Sequence, residues 1–510
     1  MAHSDNPETP MRGAALVIAA IGIGLSNLLV VLYTTITNVS LQTIAGSLGV
    51  SPTQATWTIT SYAVAEAITV PLTGWLSKQF GAQRVFIFCY LAFAVVSVLC
   101  GLSSSLGMLV AARILLGLVG GPIIPLSQVM LLRIFPREKA AIATVIWAMT
   151  TLIGPVLGPI LGGMVSESMS WHWAFLLPAG FAAAGGLLAL YILRGRPDPT
   201  ERAPIDIVGF ALLIIWVGAF QIMLDEGRNH DWFASTEIRV LAVVAAIGFA
   251  AFLIWELTEE NPIVDLRVFR HRGFVASSLT YSVGFGSFFS IVVLLPMWLQ
   301  QHMGYTSTWT GYATGIMGVF SALSAPFISK AAHRFDARAI VCIGLLGLSA
   351  TTIWRMGFNS QITFGQMALP TLATGPFQVM MLVPVIGLVL ASVERHEQTN
   401  AAGISNFMRT IAAAFATSLV QTGWMNAARE NQTELVNGMT RQSAAIDAMT
   451  ANGMSQQAAT ASLTHIVEGQ SVMLATLDIF AIIALCFLFT AVLVWFVPNP
   501  KTPVNTEEGH

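Results

Sequence analysis

Gly154-Pro155-Val156-Leu157-Gly158-Pro159-Ile160-Leu161-Gly162-Gly163 lies inside a long apolar run. Two Gly-Pro pairs stand four residues apart, and a Gly-Gly pair follows at the same interval. On a helix this spacing brings the glycines to one face, where a second backbone can come close. Each proline removes a backbone donor and bends the helix. A bent helix with a glycine face suits a moving contact between membrane helices; tight packing with no direct part in movement is the alternative. The run has no ionisable group, so it can shape a conformational change but cannot carry a proton.

The rest of the chain agrees with a membrane setting. Charged residues make up 10% of its 510 residues, against roughly 25% in soluble domains, and the mean hydropathy is +0.71. The net charge is −2 and there is no basic tract, so nucleic-acid binding has no support. Cys89, Cys100, Cys342 and Cys486 all fall in apolar runs, lack metal-ligand spacing, and read as buried apolar residues. Residues 1–13 are polar. The run from Ala14 is too long for a signal-peptide core and reads as a first retained helix.

Fourteen apolar runs are separated by polar turns. They span 14–37, 56–77, 85–103, 108–132, 140–163, 172–193, 207–224, 238–257, 274–300, 308–329, 339–358, 367–393, 401–423 and 473–497. With this count, alternate loops hold 17 of the 24 Lys and Arg, among them Lys78, Arg84, Arg133, Arg267, Arg334 and Arg338. By the positive-inside rule those loops, and both termini, are cytoplasmic. A weak repeat joins two halves: Trp57 precedes Ser77-Lys78 by 20 residues, and Trp309 precedes Ser329-Lys330 by the same 20. The offset of 252 residues exceeds six spans with short loops by about two helices, at roughly 20 residues per span. The expected fold is all-α and polytopic, two six-helix bundles with two inserted helices. The expected division is 1–206, 207–260 and 261–510, with the substrate path between the bundles. Residues 424–472, on the outer side, are rich in Ala, Gln, Asn, Thr and Ser. They read as a solvated linker, or as an amphipathic docking or gating element.

A charge at mid-bilayer costs about 2.5–3.5 kcal/mol on insertion scales, so intramembrane ionisable residues are functional candidates. Glu66 lies about ten residues into the second run, on a polar stripe of Thr58, Tyr62, Glu66, Thr69, Thr73 and Ser77. Steps of three and four keep the stripe on one helix face. Burial disfavours the charged form of a carboxyl group, so Glu66 is a candidate proton carrier; a permanently protonated side chain bonded to a neighbouring helix is the alternative. Arg113 precedes Gly117, Gly120, Gly121 and Pro122, and needs a carboxylate or several carbonyls. Arg409 and Asn406 share one run and Asp478 lies in the last; an Arg409–Asp478 pair is possible, though their depths differ. Arg355, near the end of its run, reads as snorkelling to the interface, and His302 sits near the outer mouth. The candidates for the substrate pathway are Asn38, Tyr62, Thr69, Trp147, Phe289, Trp298, Phe377, Asn406, Arg409 and Asp478. Met and aromatic walls suit varied apolar ligands. No phosphate loop, nucleophile elbow or zinc spacing occurs, so no enzyme, cofactor or metal is expected. Active transport would draw on an ion gradient.

Several segments carry a resemblance to a known family. They are Trp57-Thr58-Ile59-Thr60-Ser61-Tyr62, Pro71-Leu72-Thr73-Gly74-Trp75-Leu76, Gly120-Gly121-Pro122-Ile123-Ile124-Pro125-Leu126-Ser127-Gln128, the 154–163 run, Trp171-His172-Trp173 and Gln221-Ile222-Met223-Leu224-Asp225. Trp255-Glu256-Leu257-Thr258, Asn261-Pro262-Ile263-Val264-Asp265-Leu266 and Ser405-Asn406-Phe407-Met408-Arg409-Thr410 add to them. Over almost its whole length the chain resembles the EmrB-type multidrug exporters, the fourteen-helix drug:proton antiporter group of the major facilitator superfamily.

The resemblance implies proton-driven efflux of apolar or amphiphilic compounds through a bacterial inner membrane. It also implies a periplasmic EmrA-type adaptor and a TolC-like outer-membrane channel as partners. It makes Gly154, Pro155, Gly158, Pro159, Gly162 and Gly163 the antiporter motif, and Gly74, Gly81 and Arg84 parts of a cytoplasmic gate. Arg113 matches the family's fourth-helix arginine, which implies a part for it in proton coupling beside Glu66, the carrier read from the polar stripe. Two departures stand out. Tyr33 occupies the place of the family's first-helix acid, and a tyrosine does not exchange protons readily near neutral pH. Lys78-Gln79 stand where the superfamily's loop has an acid–base pair, so that gating ion pair cannot form in its usual way. Sodium coupling, facilitated diffusion of one amphiphile and a non-transporting membrane scaffold are the alternatives.

Overall fold

The computed structural model describes residues 11–498 except 12, 137–138, 195–197, 199, 201–203, 228–229, 360, 395–396 and 439–441. Among the described residues all regular structure is helical. The chain begins with α1 (Gly13–Leu48) and a short α2 (Pro52–Ala55). The second span is broken into α3 (Trp57–Thr69) and α4 (Thr73–Phe80), and the fourth into α6 (Leu106–Gly120) and α7 (Ile123–Ile134), with α5 (Ala82–Gly101) between them. Pro71 and Pro122 stand at the two breaks, where each withdraws a backbone donor. α8 (Ala140–Ser168) and α9 (Trp173–Leu193) complete the first half, and α10 (Ile207–Glu226) and α11 (Thr236–Thr258) form a hairpin. The second half holds α12 (Arg272–Gln301), α13 (Ser307–Arg334), α14 (Ala337–Arg355), α15 (Phe364–Ala391), α16 (Gln398–Gly438), α17 (Gln442–Ala451) and α18 (Gln456–Leu493).

Among the described residues, eleven segments are long and apolar enough to cross a membrane. The α3–α4 and α16 segments, which carry the buried polar residues Glu66 and Asn406 with Arg409, and α8 stand alongside them. Helix starts follow side-chain chemistry: Ser105, Asp206, Thr306, Asp336 and Ser455 each accept a hydrogen bond from a backbone N–H of the first turn. Thr363 and Gln366 form a reciprocal capping box.

Within the first half α1 packs on α8, α3 on α6 and α5 on α9; within the second, α14 packs on α15, α12 on α16 and α16 on α18. The halves meet along α8 and α13, and where α16 crosses α4 and α7. At that α4 end the contact is close. A Cβ on Gly74 would lie 2.9 Å from Asn400 Oδ1, and Asn406 Nδ2 donates to Gln128 Oε1 at 3.1 Å.

One expectation from sequence needs revision, that of Arg355, and two open readings gain a structure. Residues 424–472 are largely helical. α16 runs unbroken for 41 residues and α18 for 38, about 60 Å each at 1.5 Å per residue, so both project well past a ~30 Å hydrocarbon layer. Trp424 Nε1 donates to Thr476 Oγ1 at 2.9 Å and braces the two. Arg355 does not snorkel: it is fully buried, and its guanidinium donates to Thr374 Oγ1 at 2.8 Å and Thr351 O at 3.3 Å. The glycine face of 154–163 packs inside the first half. A Cβ on Gly154 would lie 2.8 Å from Val31, one on Gly158 would meet Thr35, and one on Gly162 would lie 3.0 Å from Ile36 O, all on α1. The side chains of Pro155, Pro159 and Gly163, and that of Asn38, lie outside the described residues.

Candidate functional site: a charged cluster between the halves

Glu66 is 5% exposed, and the whole stripe from Thr58 to Ser77 is buried. The hydroxyls of Thr58, Thr69, Thr73 and Ser77 bond to carbonyls three or four residues back, at 2.8, 3.0, 2.7 and 2.6 Å. Such bonds satisfy the hydroxyls locally and leave Glu66 as the charge-bearing group of the face. Glycines on the fourth span set its position. A Cβ on Gly117 would lie 2.5 Å from Tyr62 O and 3.0 Å from Glu66 N, and one on Gly121 would lie 2.8 Å from Glu66 O. The α3–α4 break thus seats directly on the α6–α7 break.

Arg113 stands one turn before Gly117. Its Nε donates to Thr58 O at 2.8 Å, and its guanidinium lies 4.2 Å from the Tyr62 ring centre and 5.9 Å from that of Phe175. Both Nη atoms are buried without a hydrogen-bond partner among the described residues. From the other half, Arg409 is 6% exposed, and its guanidinium sits 4.6 Å over the Phe285 ring, with Nε unpartnered. The Glu66 carboxyl feels the charges of Arg409 and Arg113 and is hydrogen-bonded to Tyr62. One acid therefore lies within electrostatic reach of two guanidiniums, one from each half. Tyr281, with a buried hydroxyl lacking a partner, also feels Arg409.

The other sequence candidates fall in three places. Phe289 stacks on Phe285 at 5.8 Å, close to Arg409. Trp147 is buried in the first half, its indole donating to Ile124 O and Ser127 Oγ at 3.2 and 3.1 Å. Trp298 stacks on Phe358 at 6.2 Å, and Phe377 packs against Gly347, both within the second half. Asp478 accepts from Asn431 Nδ2 at 3.5 Å. Asn431 lies 22 residues along α16 from Arg409, about 33 Å at helical rise, so the Arg409–Asp478 pair is not formed. His302, past the end of α12, packs edge-on to Trp424 at 5.5 Å; burial holds its imidazole pKa down against the pull of Glu468.

Tyr33, at the place of the family's acid, is fully buried, with its hydroxyl bonded to Ser97 and donating to Phe175 O at 2.7 Å. It is locked into the first half. At the α4 end, Gly81 takes φ 91° in the turn before α5. The Asp198 carboxylate caps α5 there, accepting from Gln83 N at 3.2 Å and Arg84 N at 3.0 Å. Arg84 contributes its backbone N–H, and its side chain is exposed. Asp198, Asn400 and Gln128 were not singled out as site residues from the sequence. Gln128 stands at the end of a quoted run, whereas Asp198 and Asn400 carry no pattern of their own.

A polytopic helical bundle of two halves that meet over buried polar side chains has the form of a membrane transporter. The chain belongs to the Major Facilitator Superfamily, whose model matches residues 23–417. Within it, the chain groups with the EmrB-type exporters. It is 39% identical over 498 residues to the "Multidrug export protein EmrB" of Escherichia coli (strain K12), covering 97% of each chain. The EmrB of Haemophilus influenzae is 37% identical, with 98% of this chain and 99% of that one covered. The "Fatty acid resistance protein FarB" of Neisseria gonorrhoeae is 34% identical, with 96% and 98% covered. Among solved structures, the human organic anion transporter MFSD10 superposes with a TM-score of 0.58 at 15% identity, covering 95% of this chain and 100% of that one. A bacterial homolog of the human lysosomal transporter Spinster, inward-facing and unoccupied, gives 0.55 at 14% identity, with 95% and 98% covered. At these identities the likeness is one of fold.

Proposed function

We propose that the chain exports apolar and amphiphilic compounds across a bacterial inner membrane by alternating access, driven by protons moving inward. The observation that carries this reading is the buried Glu66 carboxyl, which feels Arg113 of its own half and Arg409 of the other. A group placed there feels any change in how the halves meet, so its protonation and the rocking of the bundles are coupled. The halves are 1–206 and 261–510, with 207–260 inserted. With the termini in the cytoplasm, as the distribution of Lys and Arg indicates, the α4 end is cytoplasmic and the contacts there close that side. The relatives' names, multidrug export and fatty acid resistance, support a broad apolar or amphiphilic substrate range. The projecting ends of α16 and α18, with α17, then stand in the periplasm, where an EmrA-type adaptor leading to a TolC-like channel would dock.

The test is transport driven by an imposed pH gradient in proteoliposomes, with Glu66→Gln beside the unaltered chain. The amide keeps the shape and loses the titratable proton, so gradient-driven transport should collapse while substrate binding persists. Undiminished gradient-driven transport by Glu66→Gln would remove it from the coupling.

A further inference from the structure

The α10–α11 hairpin stands beside the line where α3 of one half faces α16 of the other, and α10 touches both. Its two contacts differ in kind. Toward α16 they are directional and spread over many turns. Trp216 meets Phe407 edge-on at 5.8 Å, and Phe220 stacks on Phe415 at 6.5 Å. Ser418 Oγ donates to Leu224 O at 2.8 Å, and Trp232 Nε1 donates to Thr422 Oγ1 at 3.0 Å. A small apolar cluster joins Met223, Leu224 and Ile238 to Ala414.

The exit from the hairpin is tied to the same helix. Glu256 Oε2 accepts from Val264 N at 3.2 Å, folding the connection back onto α11, and Asp265 O accepts from Asn400 Nδ2 at 2.8 Å. The hairpin is thus fastened to α16 near both ends. Toward α3 the packing is the broader of the two and brings the backbones close: a Cβ on Gly218 would lie 4.0 Å from Val64 Cγ1. Small residues on a close-packed face let helices slide, whereas hydrogen bonds and interlocked rings hold register.

We propose that the hairpin is a side wall carried by the second half, which slides along α3 and keeps the α3/α16 seam covered as the halves rock. This rests on alternating access, so one of the two readouts below does not require transport. With the four native cysteines replaced, Leu224→Cys with Ser418→Cys joins α10 to α16, and Val64→Cys with Gly218→Cys joins α10 to α3. Each pair is closed with a short thiol cross-linker that reductant can cleave. The α10–α16 link should leave transport intact, and the α10–α3 link should abolish it until the link is cleaved. Activity with the α10–α3 link closed, or loss of activity with the α10–α16 link closed, overturns the proposal. Spin labels on α11, α16 and α5 read the same motion in nanodiscs as pH is changed. The α11–α16 distance should hold while α11–α5 shifts, and the reverse pattern overturns the proposal whether or not any substrate has been found. A failure of transport alone, in chains free of cross-links, would instead count against the exporter reading.

Discussion

Gln128 on α7 accepts a hydrogen bond from Asn406 on α16, 3.1 Å across the line where the two halves meet. Both side chains are buried; Asn406 Nδ2 also donates to Ala402 O at 2.9 Å, so losing Gln128 unpairs one of its two N–H donors, at a cost of about 1–3 kcal/mol. Because the bond joins the halves, that cost falls on the state in which the α4 end is closed. Gln128→Ala should therefore shift the chain toward opening at that end by roughly 5–150-fold. Alkylation of Ser77→Cys, a small change at a buried position on α4, reports the shift, and an unchanged labelling rate would mean that the bond does not hold the seal.

Arg113 uses a planar fork: Nε reaches Thr58 O while the guanidinium lies over Tyr62. A lysine is a point charge and cannot do both. Arg113→Lys should keep the fold but cut proton-driven transport by roughly tenfold or more, within the usual range of coupling energies. Initial rates in proteoliposomes measure it, and near-normal rates would reduce Arg113 to a simple cation.

Gly117→Ala places a methyl 2.5 Å from Tyr62 O. Overpacking of this kind costs about 1–3 kcal/mol, and here it pushes the backbone of Glu66 away from α6. Both the melting temperature and transport should fall. Gly180→Ala, on α9 with nothing within 4 Å of the added carbon, should be neutral or stabilising by up to about 1 kcal/mol. Equal effects at the two positions would contradict the close approach of α3 and α6.

Asp198→Ala removes the carboxylate from the first turn of α5, where it holds Gln83 N and Arg84 N. A lost cap costs about 0.5–2 kcal/mol, and the turn at Gly81 should loosen with it. Thermal melting in detergent gives the first quantity. Faster proteolysis of the α4–α5 turn gives the second.

Glu397 takes Arg270 Nη2 at 2.9 Å and His271 Nε2 at 3.0 Å. Burial alone would raise its pKa, but the Glu394 N–H, His271 and Arg270 outweigh it and bring the carboxyl below its usual 4.5. A depressed folded-state pKa adds stability that is fully present above the unfolded value and lost as pH falls through the folded one. The gap in melting temperature between the unaltered chain and Glu397→Gln should be constant at neutral pH and close in acid. A gap that widened in acid would reverse the sign.

Much of this organisation is legible in the chain. Glu66 announces itself because three- and four-residue steps join it to five other polar residues on one face of its segment. The inserted pair of helices follows from the distance between Trp57 and Trp309. What the sequence conceals is mostly partnership. Nothing near Arg409 says that it comes close to Glu66, because that relation depends on how two halves of the fold are placed. The glycines of 154–163 predict a close backbone without saying which, and it proves to be α1. The stretch after Trp424 reads as soluble because it is polar, but Ala, Gln and Glu are also good helix formers, and the neighbouring spans propagate through it.

α16 begins beside Gly74, passes the cluster at Arg409, and continues to Asn431 and beyond without a break. It is in effect a lever. A tilt of about 10° around the middle of a rod ~60 Å long displaces its two ends by ~5 Å in opposite directions. Whether the α4 end is shut is then written into the position of the far tip, before any compound has crossed. Anything seated on that tip would sense the pump's state mechanically.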